Sequence, residues 1–292
     1  MIRRRVPVTG GVELSICDWR DTIGDAGRDP DRAPFLLVHG LASNARLWDG
    51  VARALSAAGH RVVAVDQRGH GQSDKPDQGY DSATVCADLT AVLDGLGWDR
   101  AVVVGQSWGG NVVVELAARA PGRLCGVCGI DGGTLRLAAR FGTWEACRAA
   151  LTPPALAATS AGDLRRRIET FHPDWPSEGI DGVMACFEVR PDQTVAPWLT
   201  LEHHLAILAG MYADDPARLY PTIEVPTLFI PADDPSQPAW TESKRTEIDD
   251  ALAALPAGRA VWFSPADHDV HAQHPAEVAD VLLRHLDEGF FH

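Results

Sequence analysis

The chain runs to 292 residues with a formal net charge of −14 at pH 7, and 46% of its residues are apolar. That excess of carboxylates, with no basic stripe to offset it, excludes nucleic acid as a partner and argues against anionic membrane surfaces. No apolar run approaches the roughly 20 residues that span a bilayer, and Met1-Ile2-Arg3-Arg4-Arg5-Val6-Pro7 leads into no apolar signal segment, so a cytoplasmic location is expected.

Alternating patterns at 6–9 and 12–18 predict an antiparallel opening pair, and a variable polar loop follows over 20–33. From there, buried-strand patterns at 34–39, 61–65, 101–106, 124–130, 226–231 and 259–263 alternate with helical patterns near 44–58, 82–96, 108–120, 241–255 and 275–287. Such alternation predicts an α/β fold with a doubly wound, mostly parallel sheet. It is interrupted between about 134 and 222, where no strand pattern is visible and Phe141, Trp144, Leu156, Phe171, Trp175, Met184, Phe187 and Trp198 are spread among prolines and charges. At this length one core with an insertion is expected.

The segment Gly105-Gln106-Ser107-Trp108-Gly109 follows the apolar run Ala101-Val102-Val103-Val104 and opens a helical pattern. A buried strand turning sharply into a helix with serine at the apex is a nucleophile elbow. The apex backbone is strained, so side chains two positions before and after it would collide, and only glycine fits at 105 and 109. The N–H of Trp108 then sits at the positive end of the new helix, where an oxyanion would form.

These residues resemble the α/β-hydrolase superfamily, and the resemblance extends over most of the chain. Pro34-Phe35-Leu36-Leu37-Val38-His39-Gly40 is similar to the strand and His-Gly turn beside the family's nucleophile, and by that match the N–H of Leu41 is the second oxyanion donor. Asp66-Gln67-Arg68-Gly69-His70-Gly71-Gln72-Ser73 resembles the family's D-x-R-G-H-G-x-S loop, which implies a structural role for Asp66, Arg68 and His70. Ala260-Val261-Trp262-Phe263 and Ala266-Asp267-His268-Asp269-Val270-His271-Ala272-Gln273-His274-Pro275 resemble the last strand, the histidine loop and the start of the final helix, with Asp267 where the family usually has glycine. The resemblance implies a hydrolase core of 1–133 and 223–292 with a helical cap inserted at 134–222.

A serine hydroxyl needs a neighbouring base. His268, seven positions before Pro275, matches the family's catalytic histidine and has the right ordinary pKa. His271 is the rival and is expected to line the cavity or pack beneath the loop. The acid is open between two places. The family most often carries it after the strand following the cap, where Pro231-Ala232-Asp233-Asp234-Pro235 offers Asp234 or Asp233. A second branch, exemplified by haloalkane dehalogenases, carries it twenty-four positions beyond the nucleophile, which here is Asp131. The aspartate that does not act is expected to serve a turn or helix cap.

Serine rather than aspartate at the elbow separates the chain from haloalkane dehalogenase and epoxide hydrolase chemistry, and Trp108 stands where many cofactor-free perhydrolases carry methionine. The expected activity is hydrolysis of a small, largely apolar ester, thioester or lactone through an acyl-enzyme. Carbon–carbon bond hydrolysis, acyl transfer and slow-turnover small-molecule reception are the alternatives on the same constellation. No cofactor or metal is expected: Cys125-x-x-Cys128 lies in a core strand with no second pair, and His268, His271 and His274 cannot all face one point. The six cysteines are expected as reduced thiols. Expected partners are the small-molecule substrate and at most a second copy of the chain. Arg140, Arg148 and Arg165-Arg166-Arg167 are expected on a solvated face of a mobile cap, whose apolar side faces the substrate. Basic residues are otherwise almost all arginine, Lys75 and Lys244 being the only lysines.

Overall fold

The computed structural model describes residues 1–19, 32–156 and 158–292; all but the last two positions of the expected polar loop lie outside them. In chain order the core comprises β1 (Ile2–Pro7), β2 (Glu13–Asp18), β3 (Phe35–Val38), α1 (Asp49–Ala57), β4 (Val62–Val65), α2 (Ser82–Leu96), β5 (Ala101–Gln106), α3 (Trp108–Arg119) and β6 (Leu124–Ile130). A stretch of helices follows: α4 (Leu137–Phe141), α5 (Trp144–Leu151), α6 (Ala161–Phe171), α7 (Ser177–Met184) and, after the hairpin β7 (Phe187–Val189) and β8 (Val195–Pro197), α8 (Leu201–Ala213). The core resumes with β9 (Thr227–Ile230), α9 (Pro238–Ala254), β10 (Gly258–Ala260), α10 (Val270–Gln273) and α11 (Pro275–Asp287).

Eight strands form one sheet in the order β1-β2-β4-β3-β5-β6-β9-β10, antiparallel at the β1-β2 and β2-β4 pairings and parallel elsewhere. This is the α/β-hydrolase fold. Because successive strand side chains face opposite ways, Leu36, Val38 and Val103 pack against α2, α3 and α9, while Phe35, Leu37, Val102 and Val104 pack against α1 and α11. Every residue of β3, β4 and β5 is buried, as a sheet covered on both faces requires.

Three expectations need correction. The first strand begins at Ile2 rather than residue 6. Its arginines break the apolar pattern, yet they suit an edge strand because Arg3, Arg4 and Arg5 pair with Asp66, Asp18 and Glu13. The last strand stops at Ala260, and beyond it the chain keeps single ties to the sheet, from Val261 N–H to the Phe229 carbonyl (2.9 Å) and through a bridge of Phe263 to Ala232. The interrupting segment is not purely helical, since β7 and β8 pair within it. These strands are too short to leave a periodic signal.

Candidate active site

Register brings the predicted residues to one edge. Val38 lies opposite Gly105, Gln106 opposite Ile130, and Ile130 opposite Ile230. The next residues of four strands, His39-Gly40, Ser107, Asp131 and Pro231-Ala232, therefore leave the sheet together at its carboxyl edge, where open parallel sheets hold their sites.

Ser107 has φ 52° and ψ −120° and stands immediately before the first turn of α3. The glycines around it are obligatory. A Cβ at Gly105 would lie 2.0 Å from the Gly109 carbonyl oxygen, and one at Gly109 would lie 2.5 Å from the carbonyl oxygens of Val38 and His39. The Gly40 turn runs against the serine, with an added Cβ 2.9 Å from Ser107 Cβ. Leu41 follows the Gly40 turn in the chain, and Trp108 follows Ser107 as the first residue of α3. His39 and His70 are buried beneath the turn. Gln67 N–H donates to His39 Nε2 (3.0 Å) and Ala42 N–H to His70 Nε2 (3.3 Å), so both rings serve as fixed acceptors for backbone. Burial depresses the pKa of both.

His268 Nδ1–H donates to Asp131 Oδ2 at 2.6 Å. The pairing leaves Nε2 as the ring nitrogen able to face a nucleophile, and half of the His268 side chain is open to solvent (51%). The His268 carbonyl accepts from Gln106 Nε2 (3.3 Å), which ties the histidine loop to the residue before the serine. Asp131 is 7% exposed and has φ 41°, a left-handed conformation that aspartate tolerates better than most residues. Gly132 must follow it, because a Cβ there would lie 2.1 Å from the Ser107 carbonyl oxygen. The other carboxylate oxygen of Asp131 accepts from Ala232 N–H (2.9 Å) and lies 2.5 Å from Lys244 Nζ. Burial opposes ionisation of Asp131, but the hydrogen bonds and charges of His268 and Lys244 outweigh it and hold the carboxyl below its usual range. Desolvation of the packed side of the ring likewise opposes charge on His268, and the hydrogen bond and charge of Asp131 outweigh that too, raising the imidazole above its ordinary value.

The structure does not bring Asp234 or Asp233 to His268. Asp234 accepts from Ser236 N–H (2.8 Å) and Gln237 Nε2 (3.2 Å) in the turn before α9. Asp233 accepts from Ser264 Oγ (2.9 Å) and Arg245 (3.0 Å), fastening the start of the histidine loop. His271 is fully buried beside Trp48 (ring centroids 4.2 Å apart), and burial pushes its pKa down to about 3. His274 lies beside Glu277, so the three histidines face three different neighbours. Asp66 accepts from Ala45 N–H and Gln72 N–H, and Arg68 forms a doubly hydrogen-bonded pair with Asp88. The cysteines are all free thiols, and burial raises their pKa values.

A cavity of about 270 Å³ opens beside His268 and Asp131, with Leu135, Leu151 and Trp240 among its apolar walls. Arg140 also lines it, contrary to the expected solvated position. Its guanidinium lies over Trp240 (3.9 Å) and is neutralised by Glu247 (2.7 Å). Arg165 and Arg166 do lie outside, paired with Asp181 and Asp163. Of the aromatics, Trp175 joins Leu164, Ile168 and Ile180 in a local core with Met184 and Phe187, while Phe171 is 79% exposed. The segment after α6 grips the histidine loop: Trp175 Nε1 (2.8 Å) and His172 Nδ1 (3.0 Å) both donate to Asp267. Sequence reasoning missed Lys244, Gln106 and this use of Asp267. The available signals were a lysine in an arginine-dominated chain and an aspartate where the family has glycine.

A family profile for the alpha/beta hydrolase fold matches residues 33–174. The non-heme chloroperoxidase of Streptomyces lividans is 41% identical over 120 residues, 41% of each chain. Epoxide hydrolase B of Mycobacterium tuberculosis is 37% identical over 111 residues, 37% of this chain and 31% of that one. The matches thus span well under half of these curated relatives. Among solved structures, E-2-(acetamidomethylene)succinate hydrolase superposes with a TM-score of 0.76 at 21% identity, covering 98% of this chain and 99% of that one. The chain is an α/β-hydrolase-fold protein.

Proposed function

We propose that the protein is a serine hydrolase that cleaves a small, largely uncharged ester, thioester or lactone through an acyl-enzyme. The observation that carries this reading is the 2.6 Å hydrogen bond from His268 to Asp131 at the sheet edge that also presents the strained Ser107. Ser107 Oγ attacks the carbonyl carbon while His268 Nε2 takes its proton, and Asp131 holds the imidazole in the tautomer with hydrogen on Nδ1. The N–H groups of Leu41 and Trp108 receive the tetrahedral oxyanion, each contributing about 2.7–4 kcal/mol. His268 returns the proton to the leaving group and then activates water against the acyl-enzyme. Epoxide opening through an ester intermediate needs a carboxylate nucleophile, and the elbow carries serine. Residues 134–222 act as the cap over this site. The neutral pairing of Arg140 with Glu247 supports an uncharged substrate, and the free thiols accord with a reducing cytoplasm. A fluorophosphonate probe is expected to label Ser107 in the folded protein, and Ser107→Ala to lose both labelling and turnover of p-nitrophenyl esters, thioesters and lactones. An unlabelled Ser107, with the alanine variant retaining turnover, would refute the proposal.

A further inference from the structure

Lys244 is unused by the mechanism just given, and its surroundings are specific. It projects from α9, is largely buried, and reaches Asp131 Oδ1 at 2.5 Å and the Ala232 carbonyl at 2.6 Å. Since Ala232 N–H donates to that same Asp131 oxygen, the three residues close a ring: carboxylate, backbone N–H, backbone carbonyl, ammonium. Oδ1 is thereby filled by two donors, and the carboxylate plane is fixed with only Oδ2 directed at His268.

We infer that Lys244 is a positioning residue of the site, which locks the Asp131 carboxylate toward His268 and shares its negative charge. The inference rests on the hydrolase reading above, with Asp131 as the acid. An aspartate facing histidine alone gives its whole charge to the imidazolium that forms as the serine is deprotonated; here a second cation competes for it. Three titratable groups act electrostatically on the His268 ring: Asp131 from the turn after β6, Lys244 from α9, and Asp269 on its own loop. Burial keeps Asp269 toward its neutral form, and His271, one turn on, is held uncharged. His172, from the segment after α6, acts on Asp269 and pairs with Asp267. Lys244, paired with the same carboxylate, is therefore a cation that opposes protonation of His268. Removing it stabilises the imidazolium, so the base stays protonated to higher pH and activity is lost first on the acid side.

The chain has only two lysines, so the wild-type protein labelled with 15N-lysine gives two Nζ signals, and Lys75→Arg assigns them. The Lys244 signal is expected to show an inflection as His268 titrates, and His268→Gln to abolish it. A Lys244 signal that stays flat, or keeps its inflection without His268, overturns the inference; this readout needs no substrate and survives failure of the hydrolase reading. In activity, Lys244→Met is expected to lower the ratio of kcat/KM at pH 6 to that at pH 9 by at least about threefold, with Lys244→Arg restoring it, in line with a cation acting within a few ångströms. A purely structural ion pair would lower Tm and leave that ratio unchanged, and this result in folded Lys244→Met protein also overturns the inference. If Lys244→Met does not fold, the wild-type titration decides alone.

Discussion

Asp131→Asn tests the proposed acid through proton placement rather than bulk. Oδ1 of Asp131 receives two donors, Ala232 N–H and Lys244, so in the asparagine the carbonyl oxygen must stay on that side. The amide NH2 then occupies the place of Oδ2 and presents hydrogen to His268 Nδ1. Nδ1 is forced to accept, the proton moves to Nε2, and the imidazole can no longer take a proton from Ser107. Loss of the correct tautomer costs about 10⁴-fold in kcat in serine-triad enzymes, or about 5.5 kcal/mol of barrier. Leaving Lys244 without its carboxylate also weakens the fold by up to about 3–5 kcal/mol, as breaking a buried ion pair does. Circular dichroism must therefore accompany the assay. Asp234→Asn changes a half-buried turn before α9 at the cavity wall without removing any contact to His268, and is expected to keep kcat within about twofold, since an isosteric change that leaves no buried charge unpaired stays near about 0.5 kcal/mol. The measurement is kcat on the p-nitrophenyl ester that wild type turns over best. An Asp131→Asn protein that folds and retains a tenth of wild-type kcat, or an Asp234→Asn protein that loses activity a thousandfold, would refute the assignment.

Three further outcomes follow from the same geometry. Because Asp131 raises the His268 pKa above the ordinary histidine value, the rate is expected to fall, as pH drops, through an inflection displaced upward from that of free imidazole; an inflection below about 6.5 counts against the pairing. His271 is held to about pKa 3 and stays neutral across that range, so His271→Ala is expected to preserve the profile of the folded protein while costing about 2–5 kcal/mol of stability from the void beside Trp48, read as a lowered Tm. Asp267→Gly removes the acceptor shared by Trp175 and His172, an expected loss of about 1–3 kcal/mol, with faster trypsin cleavage at Arg165–Arg167; unchanged cleavage would show that these bonds do not hold the segment against the histidine loop.

The sheet and the elbow were legible in the sequence because their signals are local. Continuous apolar runs mark strands buried on both faces, and Gly105 is imposed by a collision within five residues of chain, with the Gly109 carbonyl, although Gly109 itself is imposed by the distant carbonyls of Val38 and His39. The boundaries of α2 and α11 agree with their patterns for the same reason, each helix carrying one apolar stripe. The arginine-rich start of β1 and the hairpin β7-β8 were missed because the first is stabilised by partners distant in sequence and the second is only three residues a side. Composition and spacing offered three aspartates for one role, and nothing local separates them: each follows a strand at the same edge of the sheet. Only the parallel register of β6 and β9, with the left-handed turn at Asp131, puts one carboxylate 2.6 Å from His268 and turns Asp233 and Asp234 to holding the loops around it. The placing of Lys244 on that carboxylate was likewise beyond the sequence, since an ion pair between α9 and the turn after β6 depends on packing across 113 positions of chain. A sequence names the chemistry available, and long-range packing selects which of its bearers meet.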